Sequence, residues 1–453
     1  MKKLFGTDGI RGVAGAFPLD PSTIAYIGMA LGEELMRSGS SHNLVIGRDT
    51  RESGQWITEI LVRCLLATGV RTIDDVGVIT TPGLAFLTRA HGFELGVMIS
   101  ASHNPFEDNG IKVFSSDGFK LSDARESQLE KRIDSLIERR EPLPSGARQQ
   151  ILSDGETLVD NYCAFLKGHF KGDLRRYEVG LDVCNGSAFS IAPKIFQGLG
   201  ARLVVINDTP DGRNINRDCG SLHVQGLIEL VTSCGLDLGI AFDGDADRSI
   251  FVDSCGRIFD GDYVLHAFSC YLKRQGTLKS GKVVGTVMTN LALEKALARE
   301  GLTLVRAAVG DKYVLETMQR TGANLGGEPS GHIILRDYHT TGDGILTALK
   351  LCEMMSREGL SLRQLAGAYQ PYPQVLVGLR VQKKIPISDV AGAVEAIRNA
   401  EQELGDSGRL VVRYSGTEPI LRIMAEGEDS GAIQALTARL RDELENVLSS
   451  STP

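Results

Sequence analysis

From Asn43 onward, short apolar runs alternate with longer amphipathic stretches. LVIGRD reads as a strand, ITEILVRCLLATG as a helix, and VGVIT and ELGVMIS as two further strands, the rhythm of an α/β fold. VGLDVCNGSAFSIAPKIFQGLGARLVVIND repeats strand, turn, helix and strand as a βαβ unit, and LDLGIAF adds a strand that runs into an acidic loop. A third unit opens near Gly256, with GKVVGTVMTN as strand, LALEKALARE as helix and ANLGGEPSGHIIL as a loop followed by a strand. It ends near Pro371, where YQPYP breaks the pattern. The last stretch differs in kind. Val375, Val377, Leu379 and Val381 of QVLVGLRV share one face, as in a half-exposed antiparallel strand, and Ile433, Leu436, Leu440, Leu444 and Val447 recur at helical spacing. A polar, charge-rich stretch with two prolines, from about Asp134 to Gly155, predicts a connection between the first unit and the second. The expected organisation is three α/β modules over 1–150, 151–255 and 256–370, then an α+β module over 371–453.

The length of 453 residues agrees with several cores rather than one. A net charge of −8 leaves no broad basic face for nucleic acid, so an anionic ligand must meet locally concentrated Arg and Lys. The eight cysteines show no paired CxxC spacing, which excludes a zinc ribbon or dithiol motif and predicts reduced, mostly buried thiols in a cytoplasmic protein. No run of 18 apolar residues occurs, and MKKLFGTDGIRG lacks the apolar core of a secretory signal, so neither a membrane span nor export is expected.

Four constellations carry chemistry. In VMISASHNPFEDNGIKVF an apolar strand ends at Ser100 and delivers Ser102 and His103 into a loop closed by Pro105 and Gly110. The flanking residues do not make GxSxG, which disfavours an acyl-transfer serine; an ordinary loop serine bonded to its own backbone is the plain alternative. In AFDGDADRSIF a near-extended chain would put Asp243, Asp245 and Asp247 on one side and supply hard oxygen ligands to a divalent cation, with magnesium preferred. An EF-hand would need Gly and Glu where Arg248 and Ser254 stand, and a bare acidic turn would have to hold three uncompensated carboxylates. GGEPSGHI offers Glu328, Ser330 and His332 on a glycine-rich loop, a mixture of donors and acceptors suited to sugar hydroxyls, though a plain turn would look the same. In VVRYSGTEPILRIMAEGE, Arg413 and Arg422 flank a turn of hydroxyls and glycine able to grip a phosphate; otherwise they pair with Glu418 or Glu426. GTLKSGK imitates a P-loop, but no Ser or Thr follows and the segment precedes a strand, so no nucleotide site is expected there.

SASHNP, DGDADR, GEPSGH and RYSGTEP, in this order and one to each module, resemble the α-D-phosphohexomutase superfamily across essentially the whole chain. LFGTDGIRG and IMAEGE look most like its bacterial members that act on glucosamine phosphates. The resemblance implies three related mixed α/β domains and a TATA-binding-protein-like C-terminal α+β domain around a central cleft. It implies that Ser102 is phosphorylated and that one Mg2+ per chain is held by Asp243, Asp245, Asp247 and a phosphate oxygen on Ser102. Glu328 and Ser330, with His332 in the same loop, would select sugar hydroxyls. Arg413, Ser415, Gly416, Thr417 and Arg422 would hold the non-reacting phosphate. Arg11, His103, Lys112 and Arg248 correspond to charged positions of the catalytic centre, with Lys112 foremost as proton-transfer partner. The chain departs from commoner members at Pro329, where glutamine is usual, and at Lys312, where arginine is frequent; Pro329 lies in the loop expected to read carbon 2.

The activity so implied interconverts glucosamine 6-phosphate and glucosamine 1-phosphate through a 1,6-bisphosphate and feeds UDP-N-acetylglucosamine and cell-wall precursor synthesis. A phosphosugar substrate, the bisphosphate intermediate and a second copy in a homodimer are the expected partners, without nucleic acid or membrane. A glucose or mannose phosphate mutase and a sugar-bisphosphate synthase are the rivals within chemistry. A non-catalytic sugar-phosphate sensor would tolerate loss of Ser102 or an aspartate of the acidic loop, and all are present.

Overall fold

The structure is a computed structural model that describes residues 4–6, 8–38, 42–144, 155–367, 369–382, 384–415 and 419–450. It divides into two compact units, Met1–Thr286 with Ala307–Gly367, and Val287–Arg306 with Ala368–Pro453.

The first sheet of the larger unit comprises β1 (Phe5–Gly6), β2 (Gly9–Val13), β3 (Asn43–Arg48), β4 (Thr72–Val78), β5 (Leu95–Ile99) and β6 (Asp108–Ser115), in the order β1-β2-β6-β5-β3-β4. Its helices are α1 (Pro21–Ser38), α2 (Glu52–Ala67), α3 (Thr81–Ala90) and α4 (Asp123–Glu138). Strand β5, LGVMI, is buried at every position, as a central strand covered on both faces must be. It runs parallel to β3 in the register Leu44↔Leu95 to Arg48↔Ile99, so the loops that follow these two strands emerge side by side.

Helix α5 (Gly155–Gly168) leads to the second sheet, built from β7 (Glu178–Asp182), β8 (Arg202–Ile206), β9 (Leu238–Phe242), β10 (Ser249–Asp253) and β11 (Ile258–Phe259). Its order is β11-β10-β9-β7-β8, with α6 (Ile191–Gly198) and α7 (Gln225–Cys234) as crossovers. Strand β9, LGIAF, is again buried throughout and ends at the acidic loop. After α8 (Gly261–Arg274) comes β12 (Lys282–Thr286), then α9 (Leu291–Arg299), β13 (Thr303–Ala307) and α10 (Asp311–Thr321). Parallel to β12 lies β14 (Leu325–Gly327), which turns back through residues 328–332 into antiparallel β15 (Ile333–Leu335), followed by α11 (Gly344–Glu358) and α12 (Leu362–Ala366).

The smaller unit holds β16 (Gln374–Arg380), β17 (Gly408–Tyr414) and β18 (Ile420–Gly427) in an antiparallel sheet of order β16-β18-β17, with α13 (Ala391–Leu404) and α14 (Ser430–Ser450). Leu379, Leu421 and Ile423 of the sheet share a core with Ala396, Leu436, Leu440 and Leu444 of the helices, as the spacing of Leu379 and of the three leucines of α14 predicts. Mixed α/β sheets followed by a small α+β unit match the expected fold class.

Two local expectations need correction. The charged stretch that looks like a linker begins as the last turn of α4, because Leu129, Ile133 and Leu136 give it a buried face. Its middle, 145–154, lies outside the described residues, and it ends on α5, whose Phe165 stacks on Phe86 of α3 with ring centroids 4.4 Å apart. ANLGGEPSGHIIL is a strand, loop and strand, since Leu325–Gly327 pair with Ile333–Leu335. Gly110 lies within β6, opposite Arg11 of β2, and closes the Ser102 loop as expected, its carbonyl accepting the Ser100 N–H at 3.0 Å. A Cβ on Gly110 would come within 2.5 Å of the Ser100 carbonyl oxygen, so the glycine permits a close approach there.

Candidate active site

The serine loop after β5 and the acidic loop after β9 meet. Ser102 is 1% exposed and sits at φ +54°, a left-handed conformation that L side chains adopt infrequently. Its Oγ donates to Asp243 Oδ2 at 2.6 Å and lies 3.3 Å from His103 Nδ1. The two loops approach this closely because residue 244 is glycine: a Cβ there would sit 2.5 Å from the Ser102 carbonyl oxygen.

Asp243, Asp245 and Asp247 each bring one oxygen within 4.8 Å of the others, and all three are buried. They do not converge from an extended chain, as alternation suggests. The segment is a tight turn between β9 and β10, with Ala246 at φ +56° and its N–H bonded to the Asp243 carbonyl. Burial, with Asp247 and Asp245 close by, holds the Asp243 carboxyl well above the ordinary range, and burial with Asp245 raises Asp247. Burial acts in the same sense on Asp245, but Lys112 and the Thr81 hydroxyl outweigh it and lower that group. Asp245 Oδ1 and Asp247 Oδ1 are buried with no hydrogen-bond partner among the described residues. Clustered hard oxygens, two of them lacking a donor, fit a divalent cation of the magnesium or calcium type.

Cations surround this centre. Lys112, on β6 and 1% exposed, places Nζ 2.8 Å from Asp245 Oδ2 and 3.0 Å from Asp8 Oδ2. Burial alone would lower its pKa, but Asp245, Asp8 and Asp247 raise it, so Nζ is an ammonium. Arg248 reaches from the acidic loop, with Nε 3.8 Å from Asp247 Oδ1 and 4.0 Å from Asp243 Oδ2. Arg11, on β2, donates to the Ala101 carbonyl at 3.1 Å and pairs with Asp8. Burial, with Arg248 and Arg11 nearby, pushes His103 down to about 3, which leaves its imidazole neutral.

The glycine-rich loop abuts the same centre, because the Ser249 N–H donates to the Gly331 carbonyl at 3.1 Å. A Cβ on Gly331, itself at φ +89°, would meet the Ser249 carbonyl oxygen at 2.3 Å. Glu328 Oε1 accepts the Gly310 N–H at 3.0 Å. His332 Nε2 lies 3.9 Å from both Asp247 Oδ2 and Asp311 Oδ2. Neither nitrogen of His332 nor the Ser330 hydroxyl has a hydrogen-bond partner among the described residues, although all are buried. Eleven of the sixteen sequence-predicted residues therefore fall in the larger unit, around Ser102.

The other five belong to the smaller unit. Arg413 of β17 faces Arg422 of β18 in register, and burial with the charge of Arg422 lowers the Arg413 pKa. Like charges opposed across a strand pair are unfavourable unless an anion joins them. Ser415 is 4% exposed, and its carbonyl accepts Lys384 Nζ at 2.7 Å. Gly416 and Thr417 lie outside the described residues, as does Glu418. Glu426, the other acid considered as a partner for these arginines, pairs with Arg409 at 2.6 Å and accepts the Leu291 N–H at 3.1 Å.

Sequence reasoning missed Asp8, Lys120 and Asp311, which alternate in charge beside Lys112 through the pairs Asp8–Lys120 and Lys120–Asp311. It also missed Asp49, Arg51 and Asn216, which grip the serine loop. GRDTR directly after an apolar strand is a signal that could have found two of these, since charges there enter the protein with the strand. All eight cysteines are free, five of them buried and Cys234 and Cys255 exposed. Among the described residues no helix is long and apolar enough to cross a membrane.

A buried serine held against a carboxylate cluster at the ends of α/β strands, beside a donor-rich loop, is an arrangement suited to a phosphohexomutase. The chain belongs to the phosphoglucomutase/phosphomannomutase family: it matches alpha/beta/alpha domain I over residues 2–140, domain II over 160–256, domain III over 260–372 and the C-terminal domain over 376–443. It is 46% identical over 441 residues to the phosphoglucosamine mutase of Solibacter usitatus, covering 97% of this chain and 98% of the relative. It is also 46% identical over 453 residues to the phosphoglucosamine mutase of Koribacter versatilis, covering 99% and 98%. A solved phosphoglucomutase/phosphomannomutase family protein from Burkholderia thailandensis superposes with a TM-score of 0.81 at 25% identity, over 99% of this chain and 98% of that one.

Proposed function

We propose that this enzyme interconverts glucosamine 6-phosphate and glucosamine 1-phosphate by way of a phosphorylated Ser102 and a 1,6-bisphosphate. The observation that carries the reading is the 2.6 Å bond from Ser102 Oγ to Asp243 within a buried triad of aspartates. Full-length relatives at 46% identity support the choice of amino sugar.

Phosphoryl transfer needs alignment and charge stabilisation more than covalent work by the protein. Asp243, Asp245 and Asp247, with a phosphate oxygen on Ser102, would hold one Mg2+, which would supply charge neutralisation for the transferring group. Arg248 and Arg11 offset the remaining negative charge from either side. Lys112 holds a proton on Nζ within reach of the exchanging oxygens, and neutral His103 bonds near Ser102 Oγ without adding charge. Glu328, Ser330 and His332 take the sugar hydroxyls. The buried Ser330 hydroxyl and His332 ring nitrogens, which have no hydrogen-bond partner among the described residues, gain hydrogen bonds when a polar ligand arrives.

A second phosphate site is required because the bisphosphate must return either of its ends to Ser102. Arg413 and Arg422, with Ser415, Gly416 and Thr417, form it. The roles divide among modules at 1–150 (phosphoserine), 151–255 (metal loop), 256–370 (sugar loop) and 371–453 (phosphate). The enzyme acts in the cytoplasm as a homodimer, which sedimentation of the purified chain tests.

Coupled assays on glucosamine, glucose and mannose phosphates test the substrate. We expect the highest kcat/KM on glucosamine 6-phosphate, and accumulation of free bisphosphate would instead favour the synthase reading. Intact mass of active enzyme should show one phosphate, and Ser102→Ala should abolish both phosphate and turnover.

A further inference from the structure

The serine loop is gripped from two sides by residues that no part of the mechanism has used. Arg51, in the loop after β3, is buried with a side chain 0% exposed and is paired through Nε with Asp49 at 2.9 Å. Its remaining four N–H groups reach backbone carbonyls of the serine loop: Ser102 and Asn104 at 2.9 Å each, Asp108 at 2.9 Å, and Pro105. A guanidinium has five N–H donors, and here all five have an acceptor. Asn216, from the segment after β8, donates its side-chain amide to the same Ser102 and Asn104 carbonyl oxygens, again at 2.9 Å. Each of these two oxygens therefore accepts two hydrogen bonds, its full complement.

We propose that Arg51 and Asn216 are positioning residues, a two-sided clamp that fixes the Ser102 backbone so that Oγ stays aimed at the aspartate cluster. The proposal rests on Ser102 being the phosphoryl carrier. Three features make a clamp necessary. Ser102 is held at φ +54°, a strained setting that persists only when its surroundings enforce it. The neighbouring loop residues must tolerate a phosphate whose charge changes in each half-reaction. A small misplacement of a reacting group is costly in rate, up to about 100-fold for an ångström. The clamp also has a directional effect: in a trans peptide the N–H points opposite to the C=O, so binding the Ser102 carbonyl turns the His103 N–H away from Arg51. Because Arg51 comes from the first sheet and Asn216 from the second, the clamp sets the serine loop relative to both.

Asn216→Ala is the direct test, because Asn216 is half-buried and uncharged and its loss strands no buried ion. Arg51→Lys is the companion: it keeps the charge beside Asp49 but cannot reach four carbonyls. On glucosamine 6-phosphate we expect kcat to fall about tenfold for N216A and further for R51K, with KM changed less than about twofold. Hydrogen exchange at the amides of residues 101–104 and 106–108 should quicken about tenfold in both variants. Asn324→Ala, which removes hydrogen bonds to Thr277, Lys279 and Asp337 far along the chain from this loop, should alter neither readout. N216A with wild-type kcat and unchanged exchange overturns the clamp, and so does a rise in KM at constant kcat. If the wild-type chain turns over no hexose phosphate, the functional reading fails instead, and the exchange measurement alone then decides the clamp.

Discussion

Ser102, Asp243 and Gly244 show how closely one residue's chemistry depends on another's lack of a side chain. Gly244→Ala would drive a methyl group against the Ser102 carbonyl, 2.5 Å from where its carbon would stand. We expect it to lower kcat about tenfold or more in steady-state assays while circular dichroism stays unchanged. Asp245→Asn removes one hard oxygen of the proposed metal site and leaves Lys112 facing a neutral amide. Since loss of an outer partner of a metal ligand costs 10–100-fold, loss of the ligand should cost at least about 100-fold in turnover. Chelation of the wild-type enzyme should give the same loss, reversed by Mg2+. At this scale the sequence was most legible where side chains announce chemistry: three aspartates in five positions, or a serine and histidine after an apolar strand. It was least legible at Arg51 and Asn216, because a polar turn looks alike whether it is solvated or buried, and burial depends on the partner loop.

Secondary structure was readable where a strand is buried on both faces or a helix on one. LGVMI, LGIAF and the Ile433 to Leu444 spacing each carry their own environment in their composition. Loops were not readable in the same way, because a positive φ at Ala246 or Ser102 leaves no mark on residue type. The acidic turn therefore looked extended, and the true convergence of its carboxylates comes from curling. Capping is an intermediate case. Thr80, at the end of VGVIT, looks like strand, but its hydroxyl accepts the Gly83 N–H at 3.0 Å and starts α3. That helix in turn presents Thr81, whose N–H donates to the Asp245 carbonyl at 3.0 Å. Thr80→Ala should destabilise the larger unit by about 1 kcal/mol in urea unfolding, the usual cost of losing an N-cap.

The molecule as a whole should be sensitive to acid through buried histidine. Burial, with Arg89 nearby, pushes His339 down to about 3 from 6.5, and its Nδ1 accepts the Thr340 N–H at 2.9 Å. Between pH 6.5 and about 3 the unfolded chain therefore holds a proton that the folded chain refuses. Stability should be fully present above that window and fall as pH drops through it, by up to ~1.4 kcal/mol per pH unit for this group. His339→Asn, which retains an acceptor but cannot titrate, should flatten the slope in equilibrium unfolding between pH 4 and pH 6. The division of the chain was less legible than its chemistry, because a linear reading places one seam near residue 370 while compactness assigns Val287–Arg306 to the C-terminal unit. Within that unit, Glu426 bonds both Arg409 and the Leu291 N–H, and the Thr289 carbonyl receives Arg409 at 2.8 Å and Arg306 at 2.6 Å. Anyone grafting the tail of one such enzyme onto another would thus need two cuts more than a single-crossover chimera provides. The helix near residue 295 has to travel with its distant sheet, or Glu426 will confront a foreign backbone.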